Sequence, residues 1–154
     1  MRLAFDVGRA RIGVASCDED AILCSPVETL YRDRRGDSHF DDVDDLIDEY
    51  EPIEVIVGLP MNMDGTEGAS AKDARKFAHQ VALRHRNIGV RLVDERLTTV
   101  SAHKTLHEAG KSERRHRSVV DQVAAILILE LALDIEDRTG LPPGEQVGRK
   151  GTHG

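Results

Sequence analysis

Ten residues near the start, Asp6-Val7-Gly8-Arg9-Ala10-Arg11-Ile12-Gly13-Val14-Ala15, constrain the fold of this chain more than any other stretch. An apolar run (Leu3, Ala4, Phe5) is closed by an acid, two glycines punctuate a polar segment with two arginines, and a second apolar run follows. The pattern predicts strand, tight turn, strand. Leu3, Phe5 and Val7 alternate with Ala4 and Asp6, so Asp6 emerges on a sheet face beside a small neighbour, with room above it. Gly8 and Gly13 are expected to adopt backbone angles closed to other residues, turning main-chain N–H groups toward a phosphate while Asp6 points into the same space. A carboxylate beside a phosphate requires a metal between them. The alternative is that Asp6 starts the turn through its own side chain.

The chain has 154 residues, enough for one domain with a substantial core. With 40% hydrophobic and 32% charged residues it reads as globular. No apolar stretch runs free of charge for the eighteen or so residues of a membrane span. The N-terminus lacks the basic-then-apolar layout of a signal peptide, so a cytoplasmic protein is expected, with Cys17 and Cys24 as reduced, half-buried strand residues. The net charge of −7 argues against nucleic acid until its distribution is considered. Residues 37–51 hold eight acids and no Lys or Arg; the remainder carries 20 acids against 21 basic residues. The densest basic cluster is Lys111-Ser112-Glu113-Arg114-Arg115-His116-Arg117, so a basic face on an acidic protein is possible.

Further along, Ile12–Cys17 and Ile22–Tyr31 predict two more strands, making a three-stranded meander. Phe40, Val43, Leu46, Ile47 and Tyr50 predict an amphipathic helix with a solvated acidic outside, ended by Pro52. From Ile53 the organisation changes to strand–helix alternation. Ile53–Val57 reads as a strand buried on both faces, followed by the polar loop 58–68 and a helix with Ser70 and Asp73 at capping-box spacing. Val90–Val93 is the next strand and delivers Asp94-Glu95-Arg96 at its end. Leu97–Ala109 predicts a helix capped by Thr98 or Thr99, and an apolar helix runs from Ser118 to about Asp137. Ser118-x-x-Asp121 has capping-box spacing, and Asp94 or Glu95 could merely stabilise the helix that follows.

Each acid thus has a structural explanation, yet Asp6, Glu95 and Asp121 share a geometry: an early strand, the end of a later strand and the start of the closing helix. If the sheet's carboxyl edge gathers them, their repulsion demands cations. Mg²⁺ or Mn²⁺ suits such an oxygen cage, and a pair of such ions supports phosphodiester hydrolysis.

Four segments carry a resemblance: Asp6-Val7-Gly8 through Arg11-Ile12-Gly13-Val14-Ala15; Val57-Gly58-Leu59-Pro60 with Asn62-Met63-Asp64-Gly65-Thr66; Asp94-Glu95-Arg96-Leu97-Thr98-Thr99; and Asp121-x-x-Ala124-Ala125-x-x-Ile128-Leu129. In this order they resemble the motifs of the YqgF/RuvX family. The resemblance implies an RNase H-like α/β fold, with a mixed five-stranded sheet (antiparallel three-stranded meander, then parallel strands) flanked by about four helices. It also implies a nuclease that matures the 5′ end of 16S ribosomal RNA precursor, or alternatively a Holliday junction resolvase acting on branched DNA. Carried over by position, the catalytic and metal-binding acids are Asp6, Glu95 and Asp121. Placement and charge add Arg9, Arg11, Asn62, Arg96, Thr98, Lys111, Arg114, Arg115 and Arg117 as substrate contacts. The expected domain spans 1–138, with a disordered tail over 139–154. The expected partners are pre-16S RNA or branched DNA and ribosomal precursor particles, with no membrane; the chain would act as a monomer or homodimer. Two other classes share part of the pattern. Actin-like ATPases begin with a similar Asp-x-Gly turn but need two such domains, and an RNA-binding assembly factor could keep the fold without catalysis.

Overall fold

The computed structural model describes residues 1–18, 20, 23–32, 36, 38–97 and 114–148. Its elements run β1 (Arg2–Val7), β2 (Arg11–Cys17), β3 (Cys24–Tyr31), α1 (His39–Tyr50), β4 (Glu54–Leu59), α2 (Ala69–Arg84), β5 (Gly89–Asp94), a 3-10 turn (Glu95–Leu97), α3 (Arg114–Thr139) and β6 (Glu145–Gln146). The sheet order is β3-β2-β1-β4-β5-β6. Strands β1, β2 and β3 are antiparallel neighbours, β1, β4 and β5 run parallel, and β6 returns antiparallel to β5.

Strand alternation divides the core into two layers. Leu3, Phe5 and Val7 of β1 face one side, where α1 supplies Phe40, Val43, Leu46 and Ile47 and α2 supplies Ala71, Ala74, Phe77 and Ala78. All three phenylalanines meet here: the rings of Phe5 and Phe40 lie 5.5 Å and 5.4 Å from that of Phe77. On the other face, Ala4, Ala15, Ile56 and Val93 pack under Ala124, Ala125, Ile128, Leu129 and Ala132 of α3. Small side chains on both sides let the helix backbone come close to the sheet. That close approach positions the site.

Three expectations need correction. The sheet has six strands because Glu145–Gln146 pairs with β5, so the stretch expected to be disordered from 139 is ordered through Gly148. Helix α3 begins at Arg114 rather than Ser118, which puts Asp121 in its second turn and leaves Ser118-x-x-Asp121 no capping role. Helix α2 starts at a Gly68 cap without a side-chain hydrogen bond; Asp73 instead binds Arg32 through two bonds of 2.6 and 3.1 Å. The helix expected over 97–109 lies outside the described residues beyond Leu97. Among the described residues, no helix is long and apolar enough to cross a membrane.

Candidate active site

Parallel pairing brings the carboxyl ends of β1, β4 and β5 to one edge of the sheet. Asp6 lies there, opposite Gly13 of β2. Since Phe5 pairs with Val57, the next β4 residue alongside Asp6 is Gly58. Asp6 therefore has a glycine on either side, on the face that α3 covers.

Both glycines are dictated by close approach. A Cβ at Gly13 would collide with the backbone carbonyl of Asp121, so this is where α3 rests on β2. A Cβ at Gly58 would lie 2.5 Å from Ile128 Cδ1 and 2.8 Å from Glu95 Oε2, so the Glu95 carboxylate is seated over that glycine. Asp6 and Glu95 are 2% and 3% exposed, and His39 is the one other buried polar or charged residue among those described. The role expected of Gly8 and Gly13 is thus corrected. Neither has a positive φ; Gly8 is needed because a Cβ would sit 2.8 Å from the carbonyl oxygen of Arg11.

Asp121 completes the set from above Gly13, but it is turned to a different partner. Arg11 Nε donates to its carboxylate at 2.6 Å, with the Arg11 side chain 25% exposed. Among the described residues no three His, Cys, Asp or Glu side chains are grouped closely enough to hold a metal ion. Asp6 and Glu95 nevertheless fit one as a pair: two buried, oxygen-only donors of the kind hard divalent cations prefer. Arg11 supplies a positive charge to the third acid in this state.

Arginines brace the surrounding edge. Arg32 donates to the carbonyl oxygen of Gly8 at 2.9 Å while holding Asp73, which fixes the turn after Asp6. Arg96 binds Asp94 through bonds of 2.7–3.1 Å and reaches the Met63 carbonyl at 3.4 Å. That pairing holds the Asp94 carboxyl below its ordinary value. The loop between β4 and α2 is closed on itself. Asn62 N donates to the Thr66 carbonyl, Asn62 Nδ2 donates to Thr66 Oγ1, and Asp64 accepts from both the Thr66 amide and hydroxyl.

Of the substrate contacts expected, Arg9 is exposed in the β1–β2 turn, Arg11 is held by Asp121, Asn62 lies on the closed loop and Arg96 is held by Asp94. Arg114, Arg115 and Arg117 form the first turn of α3, one turn before Asp121. Thr98 and Lys111 lie outside the described residues. Sequence reasoning missed Arg32 and Arg75 as braces. Each finds partners far along the chain, 41 residues away for Arg32 and 70 for Arg75, and no local pattern marks such pairs.

Comparison with known proteins bears on the family and the fold. The family described as "RuvX: Holliday junction resolvase" matches residues 1–135. A Streptomyces coelicolor protein named "Putative pre-16S rRNA nuclease" is 50% identical over 146 residues, covering 95% of this chain and 87% of its own. A Thermobifida fusca protein of the same name is 50% identical over 154 residues, covering 96% of this chain and 95% of its own. In fold, the chain is similar to Thermus thermophilus RuvC in complex with a Holliday junction substrate, with a TM-score of 0.55 and 14% identity over 95% of this chain and 99% of that one. The mixed sheet with α3 lying over Asp6 is therefore an RNase H-like architecture, and the chain belongs to the RuvX (YqgF) family of nucleases.

Proposed function

We propose that this protein is a metal-dependent endonuclease that hydrolyses phosphodiester bonds in structured RNA, with the 5′ end of the 16S ribosomal RNA precursor as its substrate. The observation that carries the reading is the pair of buried carboxylates at the carboxyl edge of the sheet, Asp6 in the strand beside Gly58 and Glu95 seated over that glycine. Both are oxygen donors of the kind hard divalent cations take.

Asp6 and Glu95 would hold Mg²⁺ or Mn²⁺, with Asp121 joining them on release from Arg11. When bound, such an ion polarises a phosphoryl oxygen and lowers the pKa of its water. The chain's own residues do the rest. Arg11, a quarter exposed at the start of β2, would exchange the Asp121 carboxylate for a substrate phosphate. Arg9 presents its charge from the adjacent turn, and the first turn of α3 adds Arg114, Arg115 and Arg117. With all three phenylalanines buried in the opposite core and no tryptophan, recognition rests on backbone and shape more than on base stacking. The names of the relatives support RNA over branched DNA.

The test is cleavage of labelled 16S precursor RNA and of a synthetic four-way DNA junction, side by side, with Mg²⁺, Mn²⁺ or EDTA. Cutting of the RNA at its 5′ flank, abolished by EDTA, is expected. Preferential cutting of the junction would move the protein to DNA recombination, and binding of RNA without cutting would make it an assembly factor.

A further inference from the structure

The family match ends at residue 135, yet the chain beyond α3 turns back across the sheet edge. Arg91 of β5 donates to the carbonyl oxygens of Pro143 and Gly144, and the Val147 amide donates to the Val90 carbonyl at 2.9 Å. Gly144, at φ 68°, lies so close to β5 that a Cβ would strike the Leu92 carbonyl oxygen. Val147 is buried in the α1/α2 core. The segment from Leu141 to Gly148 is thus a strap fixed along β5.

From this strap Glu145 meets Arg75 of α2, at 2.7 and 3.0 Å. The same guanidinium grips Glu67 at 2.7 and 2.8 Å. Glu67 is the penultimate residue of the loop that begins after β4. Midway along the loop the Met63 carbonyl accepts from Arg96, which holds Asp94, the residue before Glu95. Strap, Arg75, loop and Asp94–Glu95 turn therefore form one chain of polar contacts along the carboxyl edge.

We propose that the C-terminal strap is a working part of the active site, with Glu145 and Arg75 as positioning residues that hold the 60–68 loop, and Asn62 on it, in place for the substrate. The inference rests on the nuclease reading for its functional half and on the strap's contacts for its structural half. A fork bidentate to two carboxylates fixes direction as well as distance, so losing either acid frees the loop by rotation and not merely by weakening. A structural brace elsewhere on the surface would have no such consequence for the loop.

The experiment measures hydrogen exchange at the amides of Asn62, Gly65 and Thr66, together with KM and kcat on precursor RNA, in the full chain. Wild type, Glu145→Gln, Arg75→Gln and the double variant are compared. In Glu145→Gln we expect these amides to exchange about three- to tenfold faster, and KM to rise by a similar factor with kcat nearly unchanged. The double variant should be no worse than Arg75→Gln alone, because both act through one ion pair. Loop exchange equal to wild type in Glu145→Gln overturns the brace. Faster exchange with unchanged KM overturns the positioning role. A wild-type chain that cuts no RNA removes the nuclease reading, and the exchange comparison still decides whether the strap holds the loop.

Discussion

At position 58 a single methyl group decides whether Glu95 can stay where it is. The Cβ of an alanine would fall 2.8 Å from Glu95 Oε2 and 2.5 Å from Ile128 Cδ1, so either the carboxylate or α3 must shift. We expect Gly58→Ala to lose about 1–3 kcal/mol of stability, the usual cost of overpacking a core. Cleavage should fall much further, by about a hundredfold, because displacement of a reacting group by an ångström is expensive. Denaturant midpoints and kcat/KM measured on the same preparation check this; a variant that is destabilised yet fully active would detach Glu95 from the chemistry. The sequence places Asp6 and Glu95 at strand ends, where β1 and β5 put them, and Asp121 at a helix start, whereas it lies in the second turn of α3. The glycines were legible only as turn formers, because a close approach between Gly13 and a residue 108 positions later leaves no local trace. Both cysteines are free thiols on strands as expected; Cys24 is half-buried, but Cys17 is fully buried rather than half-buried. Burial, reinforced by Cys17 and nearby acids, pushes the Cys24 thiol up to about 11.

Among the elements, α3 carries both Asp121 and the basic run Arg114–Arg117. Its apolar circumference marked it in the sequence as packed, but that same uniformity concealed where it starts. The sequence reading starts the helix at Ser118, after the run of charge at Arg114–Arg117, and the helix includes that run. Arg117 consequently lies about 6 Å along the axis from Asp121, at the helical rise of roughly 1.5 Å per residue. If the first turn meets phosphates, replacing Arg114, Arg115 and Arg117 by glutamine should leave the melting temperature unchanged. It should also lower the slope of log K against log salt for RNA binding by about two to three, near one for each phosphate no longer neutralised. A slope equal to wild type, measured by fluorescence anisotropy between low and moderate salt, would remove this turn from the binding surface. The strands and helices with strong periodicity, β1 to β5, α1 and α2, were readable within a few residues. Strand β6 was not, since two residues in a glycine- and proline-rich segment have no periodicity to read; β5 supplies the pairing.

Across the whole molecule, charge and packing are segregated by the sheet. The acidic helix α1 packs against one face and α3 against the other, so the acids of residues 37–51 and the basic run at the start of α3 belong to elements on opposite faces of the sheet. The carboxyl edge between them is braced by arginine–carboxylate pairs, and their pH response has a definite sign. Arg75 holds Glu67 and Glu145 below their ordinary 4.5, and Arg96 holds Asp94 below its ordinary 3.8. A carboxyl whose folded pKa is lowered contributes stability above its unfolded value and loses it as pH falls through the folded one. Loop exchange and melting temperature should therefore be flat from neutral pH to about 5, with the brace released only below the ordinary carboxylate values. A transition centred near pH 6 would point to a histidine instead. If Asp6 and Glu95 hold a cation for phosphodiester hydrolysis, the decisive comparison is Mn²⁺-dependent cleavage of 16S precursor RNA by wild type and by Asp6→Asn, with thermal melts of both in EDTA. We predict that the variant loses metal-dependent cleavage while its metal-free melting temperature is equal to or higher than that of wild type, since a buried negative charge has been removed. A variant that cleaves as wild type does, or one that merely unfolds, would contradict the account and return Asp6 to a structural role.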